Sequence, residues 1–191
     1  MPNFNRKVSD TNIRIGEVRF SYANVFSPRT TDSGDEKYSC CIIIPKSNKQ
    51  AIQLVKEAIE AAKLQGKTSK WGGKVPAACK IPLRDGDIDR EDDEAFRDCY
   101  FLNASTKNKP GVCVLQGGYR SDAMGPEDFY SGCYGAVTLN FFAYDTSGSK
   151  GVGVGLNNCI KTRDGQRLAG GRSADEDFSD LDGVETEDEL G

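Results

Sequence analysis

The chain has 191 residues, with 25 Lys and Arg against 29 Asp and Glu, for a formal net charge of −4. It contains no histidine, which excludes a Cys/His zinc site and any catalysis that depends on histidine. The seven cysteines form no C-x-x-C pair, and no apolar leader or membrane-length run is present. We therefore expect a soluble, cytoplasmic protein with reduced thiols, built as one domain with appendages.

The first predicted element is a long bent strand. Residues 1–12 are polar and are expected to be flexible. The strand over residues 13–26 changes the phase of its apolar alternation between Ile15 and Val18, beside Gly16. A phase change next to glycine is typical of a β-bulge or a sharp bend, by which small barrels pass one strand between two sheets. Two short unrelated strands are the alternative.

A second strand and a helix follow. Residues 37–44 are almost continuously apolar, which indicates a strand buried on both faces. A helix is predicted over about residues 48–65, with Ser47 as N-cap, Gln50 completing a capping box and Gly66 as its end. One buried stripe at helical spacing is formed by Ala51, Ile52, Val55, Ala58, Ile59 and Ala62.

The remaining pattern favours a small β-barrel. Residues 67–83 are basic and irregular, and residues 84–98 contain eight acids against three bases. A glycine-rich, mobile-looking loop is expected at 116–129, and further strands are expected at 99–105, 112–115, 131–145 and 151–162. Five or six strands with one inserted helix and long loops predict a mainly β, OB-fold-like Greek-key barrel over residues 13–169, followed by a flexible acidic tail at 170–191.

Aromatic and basic side chains are interleaved in the body of the chain. Exposed rings stack on any base, and Lys or Arg side chains follow phosphates, so this mixture is typical of single-strand binding. Each residue is also compatible with an ordinary core or solvated position. The predicted stacking residues are Trp71, Phe101, Tyr134, Phe142 and Tyr144. The predicted phosphate contacts are Arg19, Lys37, Lys70, Lys74, Lys107, Lys109, Arg120, Lys150 and Lys161.

The acidic segment imitates a metal site. Asp85, Asp87 and Asp89 match the start of a calcium loop, but Arg90 and Phe96 stand where such a loop needs Gly and Glu. No metal is therefore predicted. A nuclease with two metal ions needs only carboxylates and stays an alternative, although metal sites usually draw their ligands from several elements.

The glycine-rich run at 151–158 imitates a dinucleotide fingerprint. A fingerprint requires a helix after the glycines, whereas a strand continues here, so no cofactor is predicted. Gly151, Gly153 and Gly155 alternate and share one strand face. They leave a flat surface that a helix or a nucleic-acid backbone can approach closely.

The chain ends in a strongly acidic tail. Residues 173–191 contain nine acids and no Lys or Arg, which leaves a net charge of +5 on residues 1–172. A basic body attracts polyanions and an acidic tail imitates one, although many such tails only increase solubility. The predicted tail contacts are Asp175, Glu176, Asp177, Phe178, Asp180, Asp182, Glu185, Glu187, Asp188 and Glu189.

Eight segments over residues 13–182 occur in a familiar order: EVRFSYANVF, YSCCIIIPKS, KWGG, PLRDGD, YFLNAS, YSGCYGAVTLNFFAYD, GVGVGLNNCIKTRDG and GGRSADEDF. Together they resemble the bacteriophage single-stranded DNA-binding proteins with an OB fold, most specifically in SGCYGAVTLNFFAYD and GVGLNN. The resemblance implies a barrel that coats single-stranded DNA during phage replication without catalysis. It also implies a tail that contacts replication proteins and can occupy the DNA groove. Such tails often end in an aromatic residue, whereas this chain ends in Leu190-Gly191 with Phe178 internal, so Phe178 or Leu190 would take that role.

The sequence thus predicts a sequence-nonspecific single-stranded DNA-binding protein of phage replication or recombination, and not an enzyme. Its predicted partners are single-stranded DNA and, through the tail, replication proteins such as a polymerase or a primase-helicase. No membrane contact is predicted, and a homodimer is left open. Two alternatives remain, a carboxylate–metal nuclease that uses residues 85–94 and an interaction module that does not bind DNA.

Overall fold

The computed structural model describes residues 3–146 and 148–168, together with Leu181. Nine strands occur in this part of the chain: β1 (Arg6–Lys7), β2 (Asn12–Thr30), β3 (Glu36–Pro45), β4 (Arg84–Asp85), β5 (Cys99–Thr106), β6 (Gly111–Gln116), β7 (Tyr119–Asp122), β8 (Tyr134–Thr146) and β9 (Ser149–Arg163). The helical segments are α1 (Lys49–Ser69), α2 (Gly86–Asp89) and a single 3-10 turn, Glu94–Phe96. Among these, no helix is long and apolar enough to cross a membrane.

Five strands close the barrel. β2 pairs antiparallel with β3 and with β8, β3 pairs with β5, and β8 pairs with β9. One parallel pair, Ser105 with Gly155, joins β5 to β9 and completes the ring. This strand order is that of an OB fold, so the predicted mainly β barrel with one inserted helix is confirmed. The short strands β1, β4, β6 and β7 extend its edges.

The predicted bend in β2 is also confirmed. Pairing with β8 shifts register between Ile15 and Val18, and Glu17 has a φ of 52°. Asn48, at the start of α1, donates a hydrogen bond from Nδ2 to the carbonyl of Gly16 at 2.8 Å. The bulge therefore also fixes the position of the helix against the barrel.

Residues 3–12 are structured, which differs from the flexible segment expected from their polarity. Arg6 pairs with Arg14 in the β1–β2 ladder. The side chain of Asn5 accepts a hydrogen bond from the backbone N–H of Gly16 at 2.8 Å. Local polarity did not reveal these contacts because their partners lie in the bend of β2 and not in the segment itself.

The N-cap of α1 is Asn48, whose side chain accepts a hydrogen bond from the N–H of Ala51. The predicted capping box of Ser47 with Gln50 is therefore wrong. Ser and Asn are about equally good N-caps, so two adjacent cap formers do not fix the boundary from sequence alone.

Gly66 continues α1 and does not end it. The helix extends to Ser69, and Gly66 is buried against Ala143 of β8 and against Trp71. Glycine is needed here for close packing and not for a left-handed cap. The predicted apolar stripe is confirmed, because all six of its residues are buried: Ala51, Ile52, Val55, Ala58, Ile59 and Ala62.

β3 is buried on both faces, as its continuous apolar run predicts. Its inner residues Cys40, Ile42 and Ile44 belong to the main core inside the barrel. Its outer residues Cys41 and Ile43 belong to a second cluster with Phe96 and Phe101. This outer cluster forms because the acidic segment 84–98 folds back over part of the barrel.

The expected mobile loop at 116–129 contains a β-hairpin. β7 pairs antiparallel with β6 around Gly117-Gly118, where φ is 59° and 80°. β6 continues the sheet by pairing parallel with β9. The sequence missed β7 because all four of its residues are exposed, and Tyr119 is 82% exposed. Such a strand has no apolar alternation to detect.

Candidate nucleic-acid interface

The outer side of β3 and β5, with the adjoining part of β2 from Tyr22 to Thr30, is here called the β3–β5 face. In the antiparallel pairing of β3 with β5, Ser39 lies beside Ser105 and Cys41 lies beside Asn103. The side chain of Asn103 is exposed. In OB folds the outer surface of the second and third barrel strands binds oligonucleotides. This face is therefore the candidate nucleic-acid interface.

Tyr22 projects from this face at a second register shift of β2. Its φ is 46°, and it is 51% exposed. The guanidinium of Arg90 lies 5.3 Å from the ring centroid, and Arg90 Nη2 donates a hydrogen bond to the Tyr22 hydroxyl. The ring is thus exposed in a defined orientation. Sequence alternation missed it because Tyr22 shares its phase with buried Phe20 until the backbone irregularity turns it outward.

Three cations meet at one end of the face. Arg29 pairs with Lys37 across β2 and β3. Lys107 follows Thr106, which is the cross-strand partner of Tyr38 on β3. Two predicted phosphate contacts, Lys37 and Lys107, are brought together here, and Arg29 is a third cation that sequence reasoning missed. The side-chain ammonium and guanidinium groups offer charge for consecutive phosphates.

The acidic segment forms a wall at the other end of the face. Phe96 anchors this wall, because its ring packs edge-on against Phe101 with 5.0 Å between centroids. Asp89, Glu91 and Asp92 are exposed on the wall. The face therefore has a basic end and an acidic end, and a polyanion is favoured only at the first.

Lys46 neutralises two carboxylates at the base of this wall. Its Nζ lies 2.8 Å from Asp87 Oδ2 and 2.9 Å from Asp85 Oδ1. The hydrogen bonds to Asp87 and Asp85 raise the pKa of Lys46, and the bond from Lys46 lowers the pKa of Asp87. Within residues 3–146 and 148–168, no group of three or more His, Cys, Asp or Glu is placed to hold a metal ion. Because Lys46 already pairs with Asp85 and Asp87, it compensates the negative charge that would otherwise favour a metal ion between them.

Two predicted stacking residues are buried. Trp71 is 8% exposed, belongs to the main core, and donates a hydrogen bond from Nε1 to the carbonyl of Tyr144 at 3.1 Å. Phe101 is 2% exposed and lies beneath Phe96. The prediction that these rings are open platforms is wrong. The lysines and glycines around Trp71 indicated an exposed loop, but the loop folds its one large apolar side chain into the core.

The outer side of β8 presents two other predicted aromatic residues. The alternation of β8 is confirmed, and Phe142 on its outer side is 45% exposed. Tyr134 is half-buried, with the guanidinium groups of Arg163 and Arg19 at 3.8 Å and 5.1 Å from its ring centroid. Phe142 is thus accessible to a base, whereas cations of the protein itself already lie against Tyr134.

The three alternating glycines of β9 accommodate side chains of β8. Gly151, Gly153 and Gly155 pair with Tyr144, Phe142 and Asn140. The Tyr144 hydroxyl and the backbone of Lys80 occupy the space beside Gly151, and Tyr144 is half-buried. The flat surface expected from the glycines is therefore largely covered by the chain itself.

Several predicted phosphate contacts already have partners in the protein. Arg19 donates to the carbonyls of Gly132 at 3.1 Å and Gln166 at 2.7 Å. Lys161 Nζ lies 2.7 Å from Asp164 Oδ1, and the side chain of Lys161 is 13% exposed. These two cations hold the end of the barrel domain in place.

The remaining predicted cations fall into two groups. Lys70 and Lys74 are exposed on either side of Trp71, near the β8–β9 turn, where Lys150 lies 3.7 Å from Asp145. The structure does not bring them together with Lys37. Lys109 and Arg120 line two adjoining depressions on the side of the barrel that carries β8, β9 and the β6–β7 hairpin.

The ten predicted tail contacts lie outside the described residues: Asp175, Glu176, Asp177, Phe178, Asp180, Asp182, Glu185, Glu187, Asp188 and Glu189. The chain that leads to them is described as far as Leu168. Leu168 packs against the outer cluster that contains Cys41 and Phe101, and its N–H donates to the carbonyl of Ser131 at 2.9 Å. The last residue described before the tail, Leu168, therefore lies beside the outer cluster that borders the β3–β5 face.

Comparison with known proteins shows the family to which this chain is similar. A family model described as Enterobacter phage Enc34, ssDNA-binding protein, matches residues 11–190. A curated relative, putative protein p50 of Acyrthosiphon pisum secondary endosymbiont phage 1, is 33% identical over 189 residues, which cover 93% of this chain and 98% of that protein. The resemblance expected from the sequence is confirmed.

Two solved structures have a similar fold. The single-stranded DNA-binding protein from bacteriophage Enc34 in complex with ssDNA matches with a TM-score of 0.71 and 23% identity, over 86% of this chain and 96% of that chain. The single-stranded DNA-binding protein gp2.5 of bacteriophage T7 matches with a TM-score of 0.54 and 16% identity, over 96% of this chain and 98% of that chain.

Proposed function

The chain belongs to the family of the Enterobacter phage Enc34 single-stranded DNA-binding protein, and we propose from this membership that it binds single-stranded DNA without regard to sequence. The β3–β5 face is the proposed site. The observation that carries this choice is the exposed ring of Tyr22, held by Arg90, on the same face as the cations Arg29, Lys37 and Lys107.

In the proposed mechanism, the ring of Tyr22 stacks on a base while the basic end holds the neighbouring phosphates. Every base has a π-face, so stacking gives affinity without reading sequence, at about 1–3 kcal/mol per base. Asn103 and Ser105 supply hydrogen-bonding groups to the floor between them. No step in this mechanism needs catalysis.

We further propose that the acidic tail competes with DNA for the β3–β5 face. Support comes from the position of Leu168 beside this face and from the nine acids of residues 173–191. Released from the face by DNA, the tail would recruit replication proteins such as a polymerase or a primase-helicase. The protein would act in this way in phage DNA replication or recombination, in the cytoplasm of the host.

Fluorescence anisotropy with labelled oligo-dT and the matching duplex tests these proposals. Full-length protein, the 1–172 truncation and Tyr22→Ala are compared over several salt concentrations, with Tyr22→Phe as the control that keeps the ring. We expect tighter binding to the single strand than to the duplex, tighter binding after truncation, and weaker binding only for Tyr22→Ala.

The slope of log K against log salt should be about −0.7 for each phosphate contacted. Absence of binding by folded full-length and truncated protein would refute the DNA-binding proposal. Equal affinity of the two at every salt concentration would refute tail competition alone.

A further inference from the structure

A cleft runs along the side of the barrel that carries β8, β9 and the β6–β7 hairpin. It consists of two depressions of about 470 Å³ and 160 Å³ that share Thr138 and Asn158. The first contains Lys109, and the second contains Arg14 and Arg120. None of the described residues that line either depression is Asp or Glu. We call this surface the β8–β9 cleft.

We propose that the β8–β9 cleft holds a further segment of the same DNA strand that lies on the β3–β5 face. This inference rests on the proposed function and adds a second segment to the path of the strand. The barrel would then be wrapped by the strand and not merely touched on one side.

A lysine lies on each of the two surfaces where they adjoin. Lys107 stands at the basic end of the β3–β5 face, and Lys109 lines the cleft. Residues two apart have Cα atoms within about 7 Å of each other. Thr106 lines the cleft and directly precedes Lys107, so the two surfaces adjoin at this point of the chain. A strand can therefore pass over residues 107–109 from one surface to the other.

Charge also determines which way the strand leaves the β3–β5 face. The other end of this face is closed by Phe96 and by the exposed acids Glu91 and Asp92. Like charges repel phosphates there, whereas Lys107 and Lys109 attract them. Both effects direct the strand into the cleft.

The lining of the cleft fits bases as well as phosphates. Asn108 and Asn157 are side-chain amides, each of which can donate and accept hydrogen bonds, so that they can pair with the edge of any base. Ile13 and Leu156 lie beneath the cleft in the main core, at 2% and 3% exposure, so the amides and not these side chains meet a base. The amides give a base hydrogen bonds without selecting its identity.

The walls of the cleft are held in place by internal hydrogen bonds. Asn158 Oδ1 accepts from the N–H of Gly111 at 3.0 Å, and the N–H of Asn158 donates to Thr138 Oγ1 at 3.0 Å. Arg14 Nε donates to the carbonyl of Phe4 at 2.7 Å, which positions its guanidinium at the edge of the cleft. Arg14 is for this reason a poor choice for a test variant, because its loss would also disturb the N-terminal segment.

The test compares oligo-dT of two lengths on full-length protein and on Lys109→Ala/Arg120→Ala. A short oligonucleotide of about five nucleotides fits one surface, and one of about fifteen reaches both, within the range of site sizes of OB folds. We expect the double variant to bind the long oligonucleotide about tenfold more weakly and the short one unchanged. Its salt slope should fall by about 1.4 on the long oligonucleotide only, for two lost phosphate contacts.

The matched control is Lys49→Ala/Lys67→Ala, which removes two exposed cations from α1. A second variant, Asn157→Asp, keeps the shape of the side chain but adds a carboxylate to the cleft, and it should also weaken only the long oligonucleotide. Thermal unfolding identifies any variant that fails to fold, and Lys109→Gln/Arg120→Gln then replaces the alanine pair.

The outcomes separate this inference from the proposed function. Wild-type protein that binds neither oligonucleotide would refute the proposed function itself. If the wild type binds DNA but the cleft variants and the α1 control bind the long oligonucleotide with equal affinity, the role of the cleft is refuted and the proposed function is not. Equal loss on both lengths would mean that the cleft holds the first segment of the strand, which would also overturn the path proposed here.

Discussion

The ring of Phe142 lies across Gly153, its cross-strand partner between β8 and β9. A Cβ at residue 153 would stand 2.7 Å from Cζ of this ring, which is closer than side-chain atoms approach in folded proteins. Glycine thus lets the ring rest on the sheet while Phe142 stays 45% exposed. The two residues together form a flat aromatic surface on the outer side of the barrel.

Gly153→Ala should displace this ring. Overpacking of a well-packed core costs about 1–3 kcal/mol, and because Cζ is the far end of a half-exposed ring that can move aside, denaturant unfolding should show a loss near the lower end of this range. The control is Gly125→Ala, since the added Cβ meets open space there and the backbone is not left-handed. Equal stability of the two variants would contradict the close contact of Phe142 with Gly153.

Trp71→Phe should show whether Trp71 stabilises the core or binds DNA. The substitution removes the hydrogen bond to Tyr144, at a cost of about 1 kcal/mol, and leaves most of the apolar packing. Trp71→Ala should cost about 3–5 kcal/mol. We expect both variants, while folded, to bind oligo-dT like the wild type. A loss of affinity in folded Trp71→Phe would instead mean that Trp71 contributes to DNA binding.

Gly66→Ala should destabilise the protein although alanine is the better helix former. Helix propensity favours Ala over Gly by about 1 kcal/mol in an exposed helix. At Gly66 the new methyl group would collide with the side chain of Ala143, and this collision opposes the gain in propensity. Gln65→Ala, one residue earlier on the exposed side of α1, should change the unfolding midpoint little. A Gly66→Ala protein more stable than the wild type would contradict the packing of α1 on β8.

Sequence patterns predict those features of the fold that follow from local periodicity. The bend beside Gly16, the two-sided burial of β3 and the helical stripe were predictable because each follows from local periodicity. The role of Gly66 was not, because a glycine late in a helix looks the same whether it caps the helix or admits Ala143. β7 was missed for a related reason: its exposed residues pair with β6 by backbone hydrogen bonds, which leave no apolar pattern.

Neutralising the acidic wall should strengthen DNA binding. Glu91→Gln/Asp92→Asn removes two exposed negative charges beside the β3–β5 face, and we expect a few-fold higher affinity at low salt that disappears as salt screens the wall. The control, Glu57→Gln/Glu60→Gln, makes the same change of net charge on α1. If both double variants raise the affinity for DNA equally, the cause is the change in net charge and not the position of the wall.

The buried thiols should make the protein less stable at alkaline pH. Burial raises the pKa of Cys40, Cys41, Cys133 and Cys159, that of Cys41 to about 12 and that of Cys133 to about 11. In the unfolded chain these thiols have a pKa of about 8.5. Above that pH the unfolded state binds fewer protons than the folded state, so the free energy of unfolding falls as pH rises. Below it, their contribution is fully retained.

Urea unfolding at pH 7.5 and pH 9.5 measures this loss. Cys41→Ala should reduce the pH dependence by up to about 1.4 kcal/mol per pH unit, the contribution of one proton. Val25→Ala removes buried methyl groups without a titrating group, so it should lower the midpoint at both pH values and keep the wild-type pH dependence. An unchanged pH dependence in Cys41→Ala would mean that this thiol is not protected from ionisation.

The candidate site was less predictable than the fold. Lys37 and Lys107 could be proposed as phosphate contacts because basic residues at strand ends are a local signal, and register places Arg29 beside Lys37. Tyr22 was hidden by the irregularity that exposes it. Trp71 and Phe101 were misassigned because the sequence shows only that an aromatic residue has charged neighbours. Whether its ring faces the core or the solvent depends on the fold.

The packing of Leu168 against the outer cluster also determines how any tail contact depends on concentration. Residues that follow Leu168 are covalently joined to a residue of this cluster, so any contact between them and the β3–β5 face would be intramolecular. A tethered ligand acts at an effective concentration in the millimolar range, which dilution of the protein does not change. Competition by residues 173–191 should therefore be the same at nanomolar and micromolar protein, whereas a separate peptide of the same sequence would have to be added at about millimolar concentration to replace it.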